Sequence, residues 1–173
     1  MRTNKKGAIK EGSFAPIATL LCLAGLILGI QATTSSAQTA AQDQSENERT
    51  VISPENYPYF GFPYSPGILV GDTLYISGHL GRNPVTTDLV EGGIEAETRQ
   101  AMANIQEVLK AAGMELEHVV SVTAFIADIG EFPTFNAVYR EYFPDDPPAR
   151  ATVQVAALNV GAQIELQMIA VKP

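Results

Sequence analysis

Residues 147–171 read PPARATVQVAALNVGAQIELQMIAV, and this stretch decides the fold. Ala, Val, Leu and Ile dominate it, in two extended runs joined by a short turn. Two ionic residues interrupt the apolar pattern. Arg150 opens the first run, and Glu165 lies inside the second, out of phase with Ile164 and Leu166. Burying a charge costs several kcal/mol unless it is paired or meets a ligand. The stretch therefore holds an internal Arg150–Glu165 pair or binds something small and anionic. If neither is buried, Arg150 is an exposed strand end and Glu165 a solvent-facing strand residue. Pro147 and Pro148 force an extended entry to the strand. The guanidinium beyond them is a rigid fork matched to a carboxylate.

The elements upstream complete the architecture. The nearly continuous apolar run His118–Ala127 predicts a strand. Phe132, Phe135, Val138, Tyr139 and Tyr142 fall on one side of a helix predicted over Phe132–Phe143, which Pro144–Pro148 stops. Ala101, Ile105, Val108 and Ala112 mark one face of a longer helix, Gly93–Ala112, ended by Gly113. Gly67–Val70 and Thr73–Ser77 form a hairpin around Gly71-Asp72. Gly78–Gly92 and the proline-rich Pro54–Pro66 are loops, and Thr50–Ile52 is a short first strand. The order β-ββ-α-β-α-ββ predicts an α+β fold: a single mixed β-sheet with both helices packed on one face. Ile76, Ile126, Val153 and Val155 give the strands apolar content on both sides, so the face without helices is expected to be covered by self-association.

The first 37 residues have a different character. Arg2, Lys5, Lys6 and Lys10 precede an apolar run from Phe14 to Ile30, and Ser35-Ser36-Ala37 offers a small-x-small site before Gln38. That order predicts a secretory signal peptide over 1–37, with a retained membrane anchor as the alternative. A polar arm, 38–49, and one domain, 50–173, follow. Cleavage would leave 136 of the 173 residues, with 7 basic against 18 acidic side chains, a net charge of −11. Such a chain repels nucleic acid and anionic lipid, so neither nucleic acid nor, after cleavage, membrane is an expected partner. The single cysteine, Cys22, would leave with the signal, removing disulfide and thiol chemistry. A periplasmic or secreted location is expected.

No phosphate-binding glycine loop precedes a helix, and no His/Cys cluster has metal spacing, so no metal site is predicted. His118 stands at a strand end. His79 follows Ser77-Gly78 and is either a loop residue or part of a site wall. A serine and a histidine so close in sequence do not by themselves make a nucleophile.

PPARATVQVAAL with QIELQMIAV, together with PYSPGILVGDTLYISGHLGRNP and FPTFNAVYREYF, resembles the reactive intermediate deaminase family, RidA/YjgF, across residues 51–172. The resemblance implies a chorismate-mutase-like fold, a homotrimer with clefts between subunits, and cofactor-free hydrolysis of 2-imino acids, or their enamine tautomers, to 2-oxo acids and ammonia. It implies that Arg150 grips the substrate carboxylate and that Glu165 stands by the attacking water. Tyr64, Ser77, Gly78, Asn136 and Thr152 are implied to line the site. Thr152 stands where many members carry cysteine, His79 where glutamine is common, and Asn159 where proline is usual. The alternative on the same fold is a non-catalytic trimer that binds small carboxylates or acts as a chaperone.

Overall fold

The computed structural model describes residues 48–55 and 63–173, all within the compact unit Ser45–Pro173. The expected signal segment and the arm up to residue 47 lie outside the described residues. Six strands form one mixed sheet: β1 (Arg49–Ile52), β2 (Gly67–Val70), β3 (Thr73–Leu80), β4 (Val119–Ile126), β5 (Ala149–Gln154) and β6 (Ile164–Val171). Two helices, α1 (Gly93–Ala111) and α2 (Phe132–Tyr142), join them, with three short 3-10 turns. The spatial order is β1-β2-β3-β6-β4-β5. β4 and β5 are parallel, and the other pairs are antiparallel.

The two strands of the 147–171 stretch are therefore not neighbours, because β4 runs between them. The parallel β4–β5 pair needs a crossover, and α2 supplies it. α1 ends through Gly113, whose φ of +68° is the left-handed conformation that a helix C-terminus favours.

Alternation sorts the strands into two faces. Ile164, Leu166, Met168 and Ala170 of β6 pack with Val122, Ala124 and Ile126 of β4 and with Leu74 and Ile76 of β3, all buried under the helices. α1 contributes Met102, Ile105, Val108 and Leu109 to this core, and α2 contributes Phe135 and Tyr139. The opposite face has no helix. Tyr75, Val153 and Val171 on it are 50%, 44% and 36% exposed. Ile76 and Ile126 thus point into the core and Val153 away from it, while Val155 lies beyond the end of β5.

β3 runs further than its sequence pattern predicts, through a bulge. Ile76 pairs with Met168 and His79 with Leu166, so three steps on β3 match two on β6. One extra residue reverses the alternation. His79, which would otherwise face outward, is turned under the helices and is 2% exposed. Polar side chains of α1 then tie down the segments on either side. Asn104 donates from Nδ2 to the carbonyls of Leu80 (3.2 Å) and Arg82 (2.9 Å). The buried Glu97 carboxylate accepts the backbone N–H of Gln163 at 2.8 Å, and that of Ile164. Gly81 lies so close that a β-carbon there would run into the backbone of Glu97. His118 is structural: its Nδ1 accepts the Glu115 N–H at 2.9 Å.

Burial holds the His79 imidazole at a pKa of about 4, against a smaller upward pull from its hydrogen bond to the Pro66 backbone. The folded state therefore favours neutral imidazole. This contribution to stability is complete above the ordinary value of 6.5 and is lost as pH falls through about 4. The difference in unfolding free energy between wild type and His79→Gln, measured by urea titration, should fall by roughly 2–4 kcal/mol between pH 7 and pH 4. A difference independent of pH would show that the imidazole is not desolvated.

Candidate functional site

The bulge builds a site wall. Ser77, unpaired on the β6 side, extends the pairing with β2: it donates its N–H to the Pro66 carbonyl (3.0 Å) and its Oγ–H to the Ser65 carbonyl (2.6 Å). These two bonds pin the segment carrying Tyr64, which is 45% exposed, against β3. Ser77 thus acts through the loop as well as lining the cleft. Gly78 follows, and the Glu165 carboxylate of β6 lies directly over it. A β-carbon at 78 would overlap the Glu165 side chain, so only glycine leaves room for this acid.

Together these residues enclose a cleft of about 370 Å³. Tyr64, Ser77, Gly78 and Glu165 line it with His79 and Asn159. Leu80, Arg82 and Asn104 complete the wall. Burial raises the pKa of Glu165. A carboxylate in that state takes up a proton more readily than one in water, which suits proton transfer. A larger groove of about 540 Å³, with Pro84, Val85, Glu107 and Lys110 in its wall, shares only Asn104 with the cleft. The residues that can do chemistry do not converge there.

Arg150 lies elsewhere. It pairs in register with Val122, whose side chain is buried under the helices, and its guanidinium packs on α2. The guanidinium carbon is 4.3 Å from the ring centre of Tyr139 and 5.2 Å from that of Phe135. Nη2 donates to Asn136 Oδ1 at 2.7 Å. Stacking on aromatic faces and one amide contact hold the fork in place without neutralising it. Thr152 pairs with Ala124 on the same face, and its buried Oγ1 has no partner among the described residues.

The sequence-predicted site residues thus separate into two groups. Tyr64, Ser77, Gly78 and Glu165 share the cleft; Arg150, Asn136 and Thr152 share the far edge of the sheet. An internal Arg150–Glu165 pair does not form. Glu165 pairs with Phe125 on the open face, while Arg150 belongs to the covered face, two strands away across β4, a lateral distance of about 10 Å. Among the described residues, no three His, Cys, Asp or Glu side chains cluster as a metal site.

Sequence reasoning missed Glu97, Asn104 and Arg82. The first two had a signal: Glu97, Asn104 and Val108 share the stripe of Ala101 and Ile105, and a polar residue in an apolar stripe marks a buried tether. Arg82, between Gly81 and Asn83-Pro84, had none.

Comparison with known proteins fits this geometry. The family described as Endoribonuclease L-PSP matches residues 55–172. A Bos taurus protein named 2-iminobutanoate/2-iminopropanoate deaminase is 48% identical over 124 residues, covering 72% of this chain and 90% of its own. The crystal structure of the YjgF gene product from E. coli superposes with a TM-score of 0.68 at 33% identity, covering 72% of this chain and 99% of that one. E. coli TdcF, solved with bound serine, gives 0.67 at 28% identity over 72% and 99% of the two chains. The extent of these matches places the chain in the Endoribonuclease L-PSP family, the RidA/YjgF reactive intermediate deaminases.

Proposed function

We propose that the protein hydrolyses 2-imino acids to 2-oxo acids and ammonia, at sites that each join the Glu165 cleft of one copy to Arg150 of another. The observation that carries this reading is the division of the two ionic residues. Arg150 is held by stacking and an amide contact at one edge strand, with no carboxylate partner among the described residues, while Glu165 lies in a cleft that Arg150 of the same chain does not line. Self-association also accounts for the apolar residues on the uncovered sheet face, and a closed ring of three is the arrangement proposed. The names of the relatives support the chemistry, and the serine bound to E. coli TdcF shows that a relative takes a small 2-amino acid.

The chemistry asks little of the protein. An iminium carbon is already electrophilic. The Arg150 fork would fix the substrate carboxylate and so orient that carbon. Glu165 would accept a proton from the attacking water and return it to the nitrogen of the tetrahedral intermediate. The C–N bond then breaks, ammonia leaves and the 2-oxo acid remains. No step calls for a metal or an organic cofactor. Export is proposed as well, supported by the basic, apolar and small-residue order of residues 1–37.

Imine hydrolysis, followed as 2-oxo acid release from an imine generated in situ, tests the chemistry. Arg150→Ala and Arg150→Lys should both lose about tenfold to a hundredfold or more, since lysine keeps the charge but not the fork. Mixing Arg150→Ala with Glu165→Gln chains, after dissociation and reassembly, should restore up to about a quarter of the wild-type sites. A dead mixture of two correctly assembled variants would place the whole site within one chain. Glu165→Gln also relieves a desolvated charge. Its folded-state pKa is raised, so the wild type is penalised above that value and not below the unfolded one. The variant should therefore melt higher than wild type at pH 7, and the gain should vanish at pH 4. N-terminal sequencing of protein from the cell envelope should begin at or near Gln38, and an intact Met1 on a soluble cytoplasmic protein would refute export.

A further inference from the structure

The cleft is lined by a cation of its own, Arg82, whose side chain neither the fold nor the proposed reaction uses. Arg82 lies just past the end of β3, where its backbone is fixed twice: its carbonyl accepts from Asn104, and it bridges Leu89. Its side chain is not fixed in this way. Arg82 forms no ion pair with any described carboxylate, Glu165 included, and its buried Nε has no acceptor among the described residues. A buried donor of a charged group is costly to leave unmet, and such groups persist where a ligand or water meets them. Arg82 lines the same cleft as Glu165. Leu80 stands opposite Glu165 in the sheet, and Arg82 is two residues further on, about 7 Å along the chain.

From this juxtaposition we infer that Arg82 receives a terminal carboxylate on the side chain of the substrate, so that the protein favours 2-imino dicarboxylates over imines with short neutral side chains. The inference rests on the proposed reaction for the roles of Glu165 and Arg150. It adds a determinant of substrate choice that is remote from both. The three charged groups divide the work: one guanidinium for the carboxylate next to the imine, one carboxylate for the water, and a second guanidinium for the far end. Neighbouring polar groups are compatible with this. His79, held neutral by burial, adds no charge to the cleft, and the Asn104 amide is already engaged with backbone and with Gln100.

Two measurements on the same variants test the inference. In the first, 2-oxoglutarate and 2-oxobutanoate, the product-like acids with and without a second carboxylate, are titrated into the protein by calorimetry. Wild type should bind 2-oxoglutarate at least about tenfold more tightly. Arg82→Met, which keeps most of the side-chain length, should lose that preference and leave 2-oxobutanoate within about twofold, because the charge is its only contribution. Arg82→Lys should recover part of it. In the second, imines made in situ from glutamate and from 2-aminobutanoate by an amino-acid oxidase are compared as substrates. Arg82→Met should lower kcat/KM about tenfold to a hundredfold for the first and leave the second unchanged. Equal affinity of wild type for the two acids, or an equal loss for both in Arg82→Met, would overturn the inference. The two proposals separate cleanly. Hydrolysis of both imines without regard to Arg82 removes the dicarboxylate preference and keeps the deaminase. A dicarboxylate preference that depends on Arg82, with neither imine hydrolysed, removes the deaminase and keeps the recognition.

Discussion

The bulge in β3 is the constraint on which the rest of this structure depends. A single extra residue between Ile76 and His79 changes which way every later side chain of the strand points. On its other side β3 keeps its register, so the Ser77 amide carries the β2 pairing on to the Pro66 carbonyl and anchors the Tyr64 segment. The bulge leaves Gly78 as an open floor beneath the Glu165 carboxylate. It also buries an imidazole, at a cost in desolvation that holds His79 neutral. Any side chain at 78 would put a β-carbon where the carboxylate now lies, and the Glu165 side chain would have to move.

The bulge alone would leave the strand end loose, and α1 corrects this. Glu97 reaches from the helix to the two amides at the start of β6, and Asn104 reaches to the two carbonyls at the end of β3. Both sides of the cleft are thus fixed to one rigid element. Burial raises the Glu97 pKa and the two amides lower it, with burial the larger effect. The helix keeps a buried carboxylate because the amides it satisfies would otherwise be orphaned, and an unmet buried donor is costly too. Gly81 makes the arrangement possible by letting the chain run against the Glu97 backbone.

Much of the fold was legible in the sequence because it follows from period and punctuation. The Gly71-Asp72 turn, the apolar stripe of α1, the aromatic side of α2 and the alternation in β6 each have a local signature, and apart from the far end of β3, three residues beyond Ser77, the observed elements lie within a residue or two of the expected ones. Strand order has no such signature. That β4 runs between β5 and β6 depends on the crossover through α2 and on long-range pairing, so two strands consecutive in sequence read as adjacent when they are not. The bulge was hidden for the same reason, since TLYISGHL alternates normally up to Ile76 and then stops, as it would at a loop. Arg150 and Glu165 stood out as ions in apolar runs. Whether they meet turns on the face of the sheet each occupies, and that is fixed only once the partners in register are known.

Their placement on opposite faces, two strands apart, has a consequence for how such a site can be held. Within one chain, no side-chain rotation brings the Arg150 fork over Gly78, because the β4 backbone and the core beneath it stand between. A chain could unite the two groups only by giving up the packing of Val122, Ala124 and Leu166. A second copy requires no such sacrifice. β5 is the sheet edge, so Arg150 is available to a neighbour there, while the exposed Tyr75, Val153 and Val171 give that neighbour an apolar surface to cover. On the proposed reading, association and catalysis are the same event: the surface that hides the open face is also the surface that brings a fixed cation to a fixed acid. Each group stays rigid because its own fold holds it, Arg150 by the α2 aromatics and Asn136, and Glu165 by the bulge and the Glu97 tether. Neither needs the other for stability, which leaves both free to act on a substrate between them.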